Sequence, residues 1–254
     1  MRPTRTAVRA GALGVTVGML AAGALFHAPA AQAAPSAVTP AVVAAPVPQP
    51  GPHQAHAFTV SATSPQGGDP FSGSWGRCAI GFNVRNSSNV YYFLTSRQCG
   101  GSVGTVVYSD FSRTRVLGTT AGVSPADKDY SIVKYATGIT PLGTVNIYNG
   151  ASHDITSAAA AYVGEPVKRS GGATGLRSGT VTAVNVTVNY ATGPVRGLIR
   201  TNICAEGGDV GGPLFDGGKA LGLTSGGSGN CTYGGTTYFQ PVTEPLAVYG
   251  VTVF

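Results

Sequence analysis

The chain has 254 residues, 38 of them glycine, with only 10% charged and a formal net charge of +6. Lys and Arg are scattered rather than clustered with aromatics, which excludes nucleic acid as the expected partner. Three of the 16 basic residues and none of the 10 acidic ones lie before residue 34, so the remainder is only weakly basic.

Arg2, Arg5 and Arg9 open the chain, an apolar run follows from Gly11 to Phe26, and Ala31-Gln32-Ala33 supplies a small-x-small cleavage site. This is the pattern of an export signal over residues 1–33. The run is shorter than the roughly 20 apolar residues of a membrane span. Secretion is therefore expected, with no membrane attachment once the signal is removed. Residues 34–70 read as a Pro- and Ala-rich disordered tail, densest in "APSAVTPAVVAAPVPQPGPHQ". Repeated proline fixes φ and removes backbone donors, so neither a helix nor a sheet ladder can form there. The globular part starts between Phe58 and Trp75 and is long enough for one substantial core or two small barrels.

That part holds Cys78, Cys99, Cys204 and Cys231. An even number of cysteines in an exported chain implies two disulfides, with three connectivities open. There is no Cys-x-x-Cys pair and no histidine beside a cysteine, so neither a metal site nor a cofactor is expected. Short β-rich runs recur between Gly, Asn, Ser and Pro clusters. They are "CAIGFNVRN", "NVYYFLTS", "TVVYSDF", "TRVLGTT", "YSIVKYA", "TVTAVNVTVNY", "VRGLIRTNI", "ALGLTS" and "TTYFQPV". The clearest alternation sets Val181, Val184, Val186 and Val188 among Thr, Asn and Ala, as in a half-buried strand. Strands at this spacing predict an all-β sandwich or barrel. Only "VTEPLAVYG" reads as helix, with Thr243 as cap, Pro245 in the first turn and Gly250 as the stop.

Three stretches in order carry a possible chemistry: "YYFLTSRQCG" (91–100), "DKDYSIVKY" (127–135) and "CAEGGDVGGPLF" (204–215). A serine nucleophile needs a base, a carboxylate that fixes the base, and backbone N–H groups aimed at the developing oxyanion. The three stretches resemble the His, Asp and Ser segments of the chymotrypsin-like serine proteases, most closely the bacterial streptogrisin subfamily. The resemblance continues through "DITSAAAAYVGEPV", "IRTNICAE" and "ALGLTSGGSGNCTYGGTTYFQPVTEPLAVYGVTVF", and covers the chain from about Arg77 to Phe254. It implies two six-stranded antiparallel β-barrels, residues 71–150 and 151–254, with a short C-terminal helix.

Two of the three catalytic side chains depart from the family pattern. Where the family reads L-T-A-G-H-C, this chain has "LTSRQC", with Gln98 at the histidine. Where the family reads G-D-S-G-G-P, it has "GDVGGP", with Val210 at the serine. Asp129 matches the third member. Valine has no lone pair with which to attack a carbonyl, and an amide does not titrate near neutral pH. The histidines that remain are His27, His53, His56 and His153; the resemblance puts His153 on the surface, away from the cleft. Ser96 and Ser225 lack a base.

The resemblance implies further roles. The N–H groups of Gly208 and Val210 keep an oxyanion-type pocket. Asp209 and Arg169 form a buried ion pair that fixes the loop. Thr224, Ser225, Gly226 and Gly227 bind substrate backbone, beside a pocket for a large apolar or aromatic side chain. Asp129 is expected to be held by Gln98 and Ser225. The implied disulfides are Cys78–Cys99 and Cys204–Cys231, each worth about 3 kcal/mol in loop entropy. Arg97 stands where the family has glycine and threatens to fill the cleft. The subfamily usually carries a folded pro-segment; the tail here is too short and Pro-rich for one, so the chain is expected to fold without it. The expected function is that of a secreted, catalytically inactive homologue, monomeric, which binds peptides or protein protease inhibitors. The alternative is a weakly active endopeptidase preferring an apolar or aromatic residue at the acyl side of the cut bond.

Overall fold

The computed structural model describes residues 64–254; the signal-like segment and most of the tail lie outside them. In the first half, β1 (Pro70–Gly73), β2 (Gly76–Ala79), β3 (Phe82–Asn86), β4 (Tyr91–Thr95), β5 (Val106–Tyr108), β6 (Val116–Val123) and β7 (Ser131–Tyr135) follow one another. A helical turn, α1 (Arg97–Gly100), interrupts them. A small pair, β8 (Thr144–Asn146) and β9 (Ser152–Asp154), links to the second half. There follow β10 (Ser157–Ala158), β11 (Pro166–Arg169), β12 (Arg177–Tyr190), β13 (Gly193–Thr201), β14 (Pro213–Asp216), β15 (Lys219–Asn230) and β16 (Gly234–Pro241). Helix α2 (Thr243–Tyr249) and β17 (Val251–Thr252) end the chain.

The protein is thus mostly β, in two large sheets with a short C-terminal helix. The first sheet runs β17-β3-β4-β7-β6-β5-β1-β2 and the second β10-β15-β14-β11-β12-β13-β16. β15 also pairs with β16, so six strands of the second sheet pair in a ring. The two sheets hold eight and seven strands, not six each. The extra strands are short end pieces, among them β17, which crosses back so that Val251 pairs with Asn86 of the first sheet. The boundary at residue 150 therefore does not separate the sheets cleanly. α2 starts one residue earlier than expected: Thr243 is its first residue and Val242 its N-cap, and Gly250 ends the helix in the left-handed region at φ 60°.

All nine β-rich runs contain strands. "CAIGFNVRN" is broken into β2 and β3. The alternation in β12 holds at Val181, which is buried, and at Val186 and Val188, which are half-buried between exposed neighbours, but fails at Val184, which is exposed. Three register shifts along the β12–β13 pair re-aim the side chains that follow, as bulges do. The expectation of a disordered tail up to residue 70 fails over its last residues. The Asn83 amide donates to the carbonyls of Pro65 and Leu142 at 2.7 and 2.8 Å. Buried Asp69 accepts from Asn146 and from the Gln66 N–H. Proline and glycine in "SPQGGDP" prevent regular structure there, but tertiary donors and acceptors satisfy the backbone in its place.

One core cluster joins the sheets, packing Phe82, Leu94 and Ile132 of the first with Phe215, Ala220 and Leu223 of the second. Separate clusters fill each sheet, around Phe71, Phe93 and Val133 and around Leu198's neighbours Ile199, Leu221 and Phe239. Disulfides join Cys78 to Cys99 and Cys204 to Cys231.

Candidate functional site

A cavity of about 560 Å³ is lined by α1 and loops of the first half and by strands and loops of the second, including Gln98, Asp129, Val210, Ser225, Gly226 and Gly227. Gln98 is carried on α1, whose N-cap Ser96 accepts the Cys99 N–H. The sequence reading missed this turn, although a serine before it and Gly101 after it (φ 71°) are its cap signals. Val210 follows the 3₁₀ turn Gly207–Asp209. Its side chain packs against the core of the first sheet, and its carbonyl accepts the Ala79 N–H at 2.8 Å. Gly211 must be glycine: its φ is +87°, and a Cβ there would meet Thr95 Oγ1 at 2.1 Å.

Asp209 and Arg169 form an ion pair at 3.2 Å with both side chains fully buried. The Asp209 carboxylate also accepts the N–H groups of Ala173, Thr174 and Glu206 and the Thr174 hydroxyl. Arg169 reaches the same hydroxyl through Nη2, while its Nε and Nη1 make no hydrogen bond. Burial pulls the Arg169 pKa down, and the Asp209 charge opposes this. The two carboxyl oxygens thus pin two separate backbone segments, 173–174 and 206, and the Arg169 side chain beside Val210. Gly208 and Val210, the expected oxyanion donors, lie in and directly after this turn, in which the Asp209 N–H is turned back onto the Glu206 carbonyl.

Asp129 is buried and accepts the Arg97 N–H at 2.8 Å. Burial pushes its carboxyl above the ordinary value of 3.8; the Ser225 hydroxyl, the Arg97 N–H and charge, and the Gln98 N–H partly offset that. Ser225 therefore sits beside Asp129 as expected, and its hydroxyl also meets the Tyr190 hydroxyl at 3.2 Å. The expected bond from the Gln98 side-chain amide is not found among the described residues. Gln98 contributes its backbone instead, because the α1 turn directs successive N–H groups at the carboxylate. On the far side, the Asp129 N–H donates to Oε1 of Gln240, a fully buried glutamine in β16. The one available hint was that glutamine's position within an otherwise apolar strand run.

His153, the one histidine among the described residues, lies on β9, stacked over Phe215 at 5.4 Å. It lines a different cavity, of about 190 Å³. The reading of the sequence did not anticipate Trp75, Lys128 and Tyr190 in the main cavity's lining, because each comes from a loop or strand end remote in sequence.

The raised Asp129 pKa has a sign. The folded chain binds this proton more tightly than the unfolded chain, so stability falls as pH rises from the ordinary value through the raised one. Asp129→Asn keeps an acceptor for the Arg97 N–H and removes the buried charge. Its melting temperature at about pH 7 is expected to equal or exceed the parent's, with a flatter decline above about pH 4. A melting series across pH checks this; a variant that is less stable at neutral pH than at acid pH, relative to the parent, contradicts it.

The two sheets, with a cavity lined from both halves of the chain, define the scaffold of a serine protease of the trypsin type, and the family model for trypsin matches residues 67–248. Streptogrisin-A of Streptomyces griseus is 48% identical over 188 residues, covering 74% of this chain but 60% of that protein, less than two thirds of its length. Serine protease 2 of Streptomyces fradiae is 51% identical over 168 residues, 66% of this chain and 96% of that protein. The crystal structure of Thermobifida fusca protease A is 42% identical with a TM-score of 0.68, covering 74% of this chain and 97% of that one. The chain belongs to the trypsin-like serine protease family, within its streptogrisin subfamily.

Proposed function

We propose that the protein is a secreted, catalytically inactive homologue of the streptogrisin-like endopeptidases that holds extended peptides, or the exposed loop of a protein protease inhibitor, in its cleft without cutting them. The observation that carries this reading is the cavity lining: Gln98, Asp129 and Val210 meet in it, and His153 does not. Val210 packs as an ordinary apolar side chain and offers no attacking atom. The lining holds no histidine, so even an adjacent hydroxyl such as Ser225 has no imidazole to take its proton.

Support for binding comes from β15. It pairs with β14 only from Lys219 to Leu223, whereas Gly226 to Asn230 pair with β16 alone. Its other edge is open where Ser225, Gly226 and Gly227 reach the cavity. An extended peptide adds to such an edge through main-chain hydrogen bonds, with side-chain pockets setting its preference. In this reading Ser225 to Gly227 hold the peptide backbone, and Gly208 and Val210 retain the backbone of an oxyanion-type pocket; Thr224, expected from the sequence to share the first role, is buried with its N–H bonded to the Gly212 carbonyl and its carbonyl to the Gly211 N–H. Two disulfides fit a secreted site of action.

Titration with an end-blocked peptide containing an aromatic residue, and with a protein inhibitor of streptogrisin-type enzymes, tests the reading. Saturable binding at micromolar concentration without product is expected. Hydrolysis that disappears in Asp129→Ala would overturn inactivity; absence of binding to either probe would overturn the peptide-holding role.

A further inference from the structure

We propose that the mouth of the cavity is a carboxylate subsite, in which the Arg97 guanidinium, walled by Trp75, selects peptides that carry an acidic group. This deepens the peptide-binding reading above and rests on it. The inference comes from how two side chains that the protease chemistry does not use are held.

Arg97 is the first residue of α1. Its backbone is fixed by the N–H bond to Asp129, yet its side chain is exposed, lines the cavity, and makes no hydrogen bond or ion pair among the described residues. The other charged groups of the lining are engaged. Lys128 Nζ is paired with Glu244 at 3.0 Å. Asp129 is buried and already holds the Arg97 N–H. The Arg97 charge acts on Asp129 only at a distance, so the lining presents one guanidinium with its hydrogen-bond donors free, on the side-chain type whose planar fork fits a carboxylate bidentately.

Trp75 is 69% exposed at the tip of the β1–β2 hairpin and lines the same cavity. Trp and Arg are, with Tyr, the side chains most enriched at binding hot spots. The hairpin and α1 form one frame: the Ser74 hydroxyl donates to the Gln98 carbonyl at 2.6 Å and the Ser74 N–H to the Cys99 carbonyl at 3.0 Å. The Cys78–Cys99 disulfide closes the same frame. Arg97 and Trp75 are thus presented together on a pre-organised edge, which limits the entropy lost when a ligand is held. A peptide on the open edge of β15 that extends towards α1 brings a carboxylate to Arg97, supplied by an Asp or Glu side chain or by a free C-terminus.

The test uses three peptides of one aromatic-containing sequence: both ends blocked and uncharged, both ends blocked with an internal Glu, and free at the C-terminus. Each is titrated against the parent, Arg97→Gln, Arg97→Lys and Trp75→Ala. At least one carboxylate peptide is expected to bind the parent about 2- to 5-fold tighter than the uncharged one. That advantage should fall with added salt, shrink in Arg97→Lys and vanish in Arg97→Gln, so that the charged and uncharged peptides bind Arg97→Gln alike. Which of the two carboxylate peptides gains identifies the source. Binding that is indifferent to the carboxylate, or a preference that survives Arg97→Gln, overturns the subsite and leaves the peptide-binding reading standing. Failure of all three peptides to bind overturns both. Unchanged melting of the variants confirms that the exposed positions were altered without unfolding.

Discussion

Arg169→Met is expected to lower the free energy of unfolding by about 3–5 kcal/mol, the largest loss from a single substitution in this chain. The reason is the partner left behind. Asp209 is fully buried, and without the guanidinium its charge has no counterion within reach. Its remaining donors, from Ala173, Thr174 and Glu206, still bond it but carry no net charge, which places the loss towards the lower end of that range. Asp209→Asn is expected to be costly for the complementary reason. It strands a buried guanidinium that already has two nitrogens without hydrogen bonds. Removing both charges together should cost less than the two single losses added, because neither ion then stays buried alone. Denaturant unfolding of the two single variants and the double variant checks this. A loss below about 1 kcal/mol for Arg169→Met would refute the claim that this pair holds the loop. Because the loop carries Val210, ligand binding at the cavity should weaken in the same variants.

The double substitution Gln98→His with Val210→Ser should turn the cavity back into a working active site. In a serine protease the triad as a unit is worth about 10⁶ in kcat, and each member is of little use without the others. Either single variant should therefore stay at the parental background. The pair, with Asp129 already beside position 98 and backed by Ser225 and Gln240, should exceed that background by at least about 10³ on a peptide with an aromatic residue before the cut bond. Arg97 stands next to the restored histidine, so a third variant with Arg97→Gly separates obstruction from chemical inertness. Activity in the triple variant alone would assign the block to the arginine. Silence of both would show that the loop no longer supports catalysis.

Much of this was readable along the chain, and the reasons differ by element. The nine strand runs announced themselves because β-branched and aromatic residues alternate between glycine and asparagine breaks, a local signal with local causes. The short strands did not. β1 in "PFSG", the β8–β9 pair and β17 exist because a neighbouring strand offers them an edge, and four residues of sequence carry no periodicity that could reveal it. Residues 64–70 contain too much glycine and proline for any regular element, yet Asn83, Asn146 and the Ile80 carbonyl, all distant in sequence, tie them down.

At the cavity the division follows the same line. The sequence by itself determined which atoms exist: a glutamine at 98, an aspartate at 129, a valine at 210, an arginine at 97 and four cysteines. Those identities limit the chemistry whatever the chain's shape, because a side chain without a labile proton or lone pair acquires neither by folding. Only the tertiary structure decided which of these groups meet and in what state. It gave Asp129 the N–H of Arg97 rather than the amide of Gln98, put His153 against Phe215, and brought Trp75 to the same opening as Arg97. Contacts and burial depend on elements far apart in sequence, and electrostatic energies depend on the dielectric around a group.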